Sequence, residues 1–378
     1  MSKASSKKVY RLGAHSLAKI ACYRRYLQIY LAILAQTSFK KIYLLDLFAG
    51  EGRDVDGKSC SSIAAAEVLN EHYNGTNKKC ESIILFLNDS GNSVIEKGVK
   101  KIDRVKRFVN EIQLPENVSI TYSDKKFEEL ISQVVTRLNK LHSSEKALCF
   151  IDPFGYKYSK PETIRGLLGN DKTEMLLFIP ICFMHRFASK ALKDDDFIEG
   201  VHIDEFITEL FGGEMPDIKN QIAFIKCIQA QFKKYLKITY VDVLYIEKEK
   251  NQYFALFFFS NSKRGFQKML DAKWTIDEEN GHGFKVSRGS ITPSLFENFD
   301  HEDYTHLLYE EILKRRKMSY QEVFDFGLDN NHLPKHSKKV LDELKKEGKI
   351  EVVDQSGTKA AGYYLEDNHE KNIIIKAL

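Results

Sequence analysis

Apolar residues along this chain follow two rhythms that take turns. Short, nearly continuous apolar bursts, Ile42–Leu45, Ser82–Leu87, Val118–Tyr122, Ala147–Ile151 and Glu174–Ile179, read as strands buried on both faces. Between them, apolar positions recur three or four apart over Ser61–Tyr73, Asn92–Asn110, Phe127–Leu141 and Pro161–Leu168, which is the helical period. A longer stretch of that kind, His15–Gln36, carries Leu17, Ile20, Ala21, Leu27, Leu31 and Leu34 and predicts a leading helix. Strand then helix, repeated, predicts a doubly wound α/β unit with a mostly parallel sheet and right-handed crossovers.

After Pro180 the pattern predicts helices over Phe197–Phe211 and Gln221–Tyr235. Two strands follow, Thr239–Glu247 and Tyr253–Ser260, around the polar turn Lys248-Glu249-Lys250-Asn251. The pair is expected to close the sheet as an antiparallel hairpin, with a helix over Gly265–Trp274 after it. A boundary near Asn298–Asp303 makes residues 1–300 one domain and 303–368 a second, small α+β one. The second begins with helices over Tyr304–Arg315 and Ser319–Phe326, the latter opened by Ser319 with Glu322 three residues on. Helix Pro334/Lys335–Gly348 comes next, then a hairpin of Ile350–Val353 and Tyr363–Leu365 around Ser356-Gly357. That order of elements is the winged helix.

Composition narrows the class without reaching the chemistry. At 378 residues, 43% hydrophobic and 29% charged, the chain is long enough for two domains and a sizeable core. No apolar run reaches the roughly 20 residues of a membrane span. The basic start MSKASSKKVYRLGAH lacks the apolar stretch of a secretory signal. Six cysteines stand far apart with no Cys-x-x-Cys, as small buried hydrophobes do in a reducing, cytoplasmic setting. His185, His202 and the run Asp194-Asp195-Asp196 lack metal-ligand spacing, so no metal is assigned. Net charge is a mild +4, yet residues 1–25 carry seven Lys and Arg and no acid. Such a segment serves either as a phosphate-touching edge or as a solvated helix face.

The candidate chemistry lies at strand ends, where open α/β sheets bind ligands. The first strand runs into Asp46-Leu47-Phe48-Ala49-Gly50-Glu51-Gly52, a glycine turn that lets backbone approach a ligand closely. The spacing lacks the third glycine of a dinucleotide fingerprint and the Gly-Lys-Ser/Thr of a P-loop. It resembles the first motif of S-adenosylmethionine methyltransferases, in which the strand-end acid lies near the methionine part of the cofactor. On that resemblance Asp46, Phe48, Ala49, Gly50 and Gly52 are cofactor-binding candidates. Asn88 or Asp89, after the second strand, suits two ribose hydroxyls, since a carboxylate accepts two hydrogen bonds. Ser123 and Asp124, after the third, suit the adenine amino group.

Asp152-Pro153-Phe154-Gly155 follows the fourth strand, where amino-group methyltransferases carry Asp/Asn-Pro-Pro-Tyr/Phe. The resemblance implies that Asp152 and the Pro153 carbonyl accept from a target amine while Phe154 stacks on its base. The second proline is absent here. A proline-stiffened strand exit without a ligand is the plainer alternative.

Taken together, Asp46–Arg53, Phe150–Gly155, a leading helix with Lys19 and Tyr26, Arg186 after Pro180 and the segment Tyr253–Trp274 resemble the three-Cys-motif partner proteins (TcmP). Members commonly have Gly-Pro-Gly and Ser-Pro where this chain has Gly50-Glu51-Gly52 and Ser61-Ser62. The resemblance implies a Rossmann-like methyltransferase domain working beside a three-cysteine, radical-AdoMet-like protein, with C-terminal winged helices in relatives. The third helix of the small domain offers Lys335, His336, Lys338 and Lys339 near its start, placed for DNA or RNA phosphates. Winged helices also dock proteins, and both partners stay open. The functional expectation is a methyltransferase acting on or with nucleic acid; the alternative is a non-catalytic scaffold for the radical-AdoMet-like partner. Oligomeric state is not legible.

Overall fold

The computed structural model describes residues 10–75, 80–191, 198–213, 220–249, 252–277, 281, 283–285, 304–354, 356–359 and 373–378. Contacts divide the chain into two units, Met1–Ala272 with Gly283–Ile291, and Lys273–His282 with Thr292–Leu378.

In the first unit α1 (Ala14–Leu34) leads into β1 (Lys41–Asp46), α2 (Ser61–Gly75), β2 (Ser82–Asn88), α3 (Lys101–Asn110), β3 (Val118–Ser123) and α4 (Phe127–Asn139). The chain continues through β4 (Glu145–Ile151), a single 3-10 turn at Tyr156–Tyr158, α5 (Pro161–Leu167), β5 (Thr173–Ile179) and α6 (Ile181–Ala191). It closes with α7 (Ile198–Phe211), α8 (Gln221–Leu236), β6 (Tyr240–Glu249), β7 (Gln252–Ser260), α9 (Lys263–Ile276) and β8 (Gly283–Lys285). The eight strands form one sheet in the order β3-β2-β1-β4-β5-β7-β6-β8. β1 to β5 are parallel, and β7 runs antiparallel between β5 and β6. This is the doubly wound, Rossmann-like sheet with a closing hairpin that the apolar bursts predict.

Burial explains which bursts read clearly. All seven residues of β5 are buried, as are the last five of β1 and of β4, because helices cover both faces. At the sheet edge, β3 has no fully buried residue and its exposure varies along the strand.

One expectation is corrected and two elements are added. The helix expected from Asn92 begins only at Lys101. Ser93 Oγ accepts from the Ile95 and Glu96 N–H groups and so offers the backbone a turn in place of a helix. Gly98, at φ +80°, helps fold the loop so that Asn92 bridges Lys100. Helix α6 and strand β8 were not anticipated. α6 starts directly after Pro180 with the continuously apolar Ile181-Cys182-Phe183-Met184, which shows no helical period, and a three-residue strand is too short to show one.

The second unit contains α10 (Tyr304–Arg315), β9 (Lys317–Ser319), α11 (Tyr320–Asp329), α12 (Pro334–Lys346), β10 (Ile350–Val353) and β11 (Ile374–Ala377). Its core gathers Leu308, Ile312, Met318, Val323, Leu341, Ile350, Val352 and Ile375. Ser319 and Glu322 form the expected capping box. Strand Tyr363–Leu365 lies outside the described residues. Within them β10 pairs with the unanticipated β11, which also pairs with β9 to give the order β10-β11-β9. The signal for β11 was the β-branched run Ile373-Ile374-Ile375.

Candidate functional site

Strand order reverses beside β1: β2 and β3 extend to one side of it, β4 and β5 to the other. The crevice outside the carboxyl ends of β1 and β4 is therefore the switch point of the sheet. The glycine turn and Asp152-Pro153-Phe154-Gly155 leave the sheet at these two strand ends.

The turn is held by side chains around it. Asp46 is fully buried; Oδ1 accepts from the Phe48 N–H (3.1 Å) and Oδ2 from Ser61 Oγ (2.6 Å), tying the turn to the start of α2. Burial pushes the Asp46 carboxyl from 3.8 up to about 7. Ser62 Oγ donates to the Ala49 carbonyl (2.8 Å), and the Ala49 N–H donates to the Asn88 carbonyl (2.9 Å). Gly50 and Gly52 have φ of +69° and +76°, a region that L side chains rarely adopt. A Cβ on Gly52 would lie 3.0 Å from Phe108 of α3, whereas one on Gly50 would meet nothing nearer than the Phe48 carbonyl at 4.0 Å. Gly52 is glycine for packing, and Gly50 leaves open space.

Where the resemblance has a proline, Glu51 is 1% exposed and serves as an anchor. It takes Ser93 Oγ and the Val94 N–H, each at 2.7 Å, and the buried Arg104 guanidinium at 2.5 Å. Arg104 also reaches the Glu51 carbonyl (3.0 Å) and Glu96 (2.8 Å). The sequence held no signal for this network beyond the presence of both charges.

The strand-end acids do different things. Asp89 accepts from the Gly50 N–H (2.9 Å) and the Gly91 N–H (2.8 Å), with Lys101 Nζ at 3.9 Å. Asn88 Nδ2 donates to the Leu47 carbonyl (3.2 Å), and its buried Oδ1 has no hydrogen-bond partner among the described residues. The Ser123 carbonyl accepts from the Asp89 N–H (3.2 Å), and Ser123 Oγ from the Lys125 N–H (3.3 Å). Asp124 is exposed and paired with Lys100, which holds its carboxyl below the usual range.

Asp152 is partly exposed and its Oδ2 pairs with Lys19 of α1. Lys19 is 5% exposed and its ammonium lies 4.0 Å from the centroid of the Phe178 ring. Pro153 is buried, while Phe154 is 68% exposed with Lys101 Nζ 4.7 Å from its ring centroid. Phe48 stacks on Phe127 (5.1 Å), and Tyr158 packs against both rings. In the sequence Lys19 stands out only as part of the basic first 25 residues and through the resemblance, and Lys101, Phe127 and Tyr158 carry no mark of a site. They lie on α1, α3, α4 and the turn after β4, so spacing alone did not join them.

In the second unit Lys335 and Lys339 are exposed on α12, and Lys338 pairs with Asp342 at 2.6 Å. His336 turns inward: its Nδ1 accepts from the Leu333 N–H, and its ring lies 4.0 Å from that of Trp274. Burial pushes the imidazole down to about 4, so it does not join the lysines as a cation at neutral pH.

Among the described residues no group of three or more His, Cys, Asp or Glu is placed to hold a metal, and no helix is long and apolar enough to cross a membrane.

Residues 287–357 match the family of GMT-like wHTH domains. No curated protein matches the chain. Among solved structures, the O-methyltransferase TomG from Streptomyces achromogenes in complex with SAM is similar at 12% identity, with 67% of this chain and 92% of that one covered and a TM-score of 0.33. The O-methyltransferase from Bacillus cereus in complex with SAH follows at 13% identity, 63% and 80% coverage and a TM-score of 0.33. A dimethyladenosine transferase from Plasmodium falciparum shows 11% identity, 90% and 98% coverage and a TM-score of 0.29. Overlaps this loose place no residue of the site; the fold assignment rests on the strand order.

Proposed function

We propose that the first unit binds S-adenosylmethionine in the switch crevice and transfers its methyl group to a nucleic acid. The observation that carries this reading is convergence: a glycine turn open at Gly50 and an acid-proline-aromatic motif flank the same crevice. The residues present suit the cofactor. Gly50 leaves room for its methionine part, and the unpaired Asn88 Oδ1 is an acceptor for a ribose hydroxyl. Asp89 is engaged with the turn itself, which favours Asn88 of the two strand-end candidates. Ser123 and Asp124 stand at the next strand end for the adenine.

When bound, S-adenosylmethionine supplies an electrophilic methyl on a sulfonium; the chain supplies position. Asp46 acts through the turn, since both its oxygens are committed to holding it. Asp152 keeps one oxygen free of Lys19 to accept a hydrogen bond from the acceptor, and the exposed Phe154 offers a stacking face for a base.

A second reading is supported by the same motif. With Lys19 occupying one oxygen of Asp152 and Phe154 turned outward, the rim also suits a scaffold that docks a three-cysteine, radical-AdoMet-like partner, as the resemblance to TcmP implies. Isothermal titration with S-adenosylmethionine and S-adenosylhomocysteine separates the two. Saturable binding to the wild-type chain, lost in a folded Asp46→Ala variant, is the expected result. No heat at millimolar ligand would leave the scaffold reading standing.

A further inference from the structure

The opposite rim of the same sheet holds a second cavity, of about 140 Å³. It opens between the end of α1, the first residues of β4 and β5, and the start of α9. No step of the methyl transfer uses it. Its volume is close to that of an engineered cavity of roughly 150 Å³ that accommodates benzene.

The polar groups around it carry a charge pattern. Glu174 is 5% exposed and makes no ion pair among the described residues; Tyr26 Oη (2.5 Å) and Ser260 Oγ (2.7 Å) donate to its two oxygens. Burial raises its carboxyl above the ordinary range, and the hydrogen bonds from Tyr26 and Ser260 and the charge of Lys146 offset only part of that rise. Gly265 packs closely against this carboxyl, since a Cβ there would lie 2.3 Å from Glu174 Oε1. Three cations also line the cavity, and two are already engaged: Lys268 with Asp271 at 2.8 Å, and Lys146 with the Asp171 carbonyl at 3.3 Å. Arg264, exposed at the start of α9, has no partner among the described residues. The remaining wall is largely apolar, with Ile33 and Leu34 beside Tyr30. The Tyr30 hydroxyl is buried without a hydrogen-bond partner among the described residues.

We infer that this cavity binds a small zwitterion of α-amino-acid size, its ammonium on Glu174, its carboxylate on Arg264 and its aliphatic side chain on Ile33 and Leu34. One acid at the floor and one free base at the mouth match a ligand carrying both charges. A cation alone would leave Arg264 unanswered, and an anion alone would leave Glu174 so. The site is independent of the methyl-transfer reading and stands or falls without it.

The test uses the full chain and three probes of one carbon skeleton: L-leucine, 3-methylbutylamine and 4-methylpentanoate, by isothermal titration and thermal shift. Leucine is expected to bind saturably, with each singly charged analogue at least about tenfold weaker. Arg264→Ala, at an exposed position, is expected to weaken leucine by about tenfold or more while leaving S-adenosylmethionine titration unchanged. Glu174→Gln should abolish binding; where that buried change fails to fold, Arg264→Ala decides alone. No saturation by leucine up to about 10 mM, equal binding of the amine alone, or an Arg264→Ala affinity equal to wild type would each overturn the assignment.

Discussion

Asp46 shows how far a single residue is legible. Its place at a strand end before glycines is plain in the sequence, but its partners, Ser61 Oγ and the Phe48 N–H, are not, because Ser61 returns to it through a loop. Burial raises its carboxyl to about 7 in the folded chain, so between about pH 4 and 7 the native state holds a proton that the unfolded state has released. Stability should therefore fall as pH rises through that window and level off above it, a change of roughly 4 kcal/mol at most. Asp46→Asn, which cannot ionise, should remove most of this slope in urea unfolding measured from pH 4 to 8. A second residue-scale expectation concerns Glu51 and Arg104, 1% and 4% exposed at the side chain. Arg104→Met leaves a buried carboxylate unpaired and should cost about 3–5 kcal/mol, with Glu51→Gln on top of it restoring a large share. Equal stabilities for the single and double variants would contradict the pairing.

At the level of elements, local chemistry fixed some boundaries and tertiary contacts fixed others. The start of α11 is set by the Ser319 and Glu322 capping box, visible in four residues of sequence. Ser319→Ala should lower the stability of the second unit by about 1 kcal/mol in chemical denaturation. The middle of α11 is set by its neighbours: a Cβ on Gly327 would come within 2.6 Å of Ser337 Oγ and 3.0 Å of Tyr304 Oη. Gly327→Ala, helpful in an isolated helix, should instead cost about 1–3 kcal/mol here through overpacking. α3 illustrates a failure of periodicity. Residues 92–100 share its composition, yet Ser93 and Gly98 fold them into a loop whose Ser93 and Val94 bind Glu51.

The whole molecule joins a sheet whose carboxyl rim carries the proposed transfer site to a unit that matches a winged helix. If that unit reads nucleic acid, phosphate contacts must come mainly from Lys335 and Lys339, since Lys338 is paired with Asp342 and His336 is half-buried against Trp274. Reversing all three lysines to Glu should then flatten the dependence of log K on log salt by about two, not three. Affinity and slope unchanged in that variant would assign α12 to protein docking. S-adenosylmethionine titration of the same variant should match wild type.

What the sequence determined by itself was the alternation of strands and helices, and with it the class of fold. A strand buried on both faces has to be continuously apolar, and a helix packed on it has to repeat every three or four residues. The same local logic exposed the glycine turn and the motif after β4. Which of the charged residues act together was decided only by tertiary structure. Lys19 and Asp152 are 133 positions apart, and Tyr26 and Glu174 148, and they meet only because α1 packs across the sheet. Charge pairing depends on distance in space, which a chain folded through crossovers does not encode in spacing.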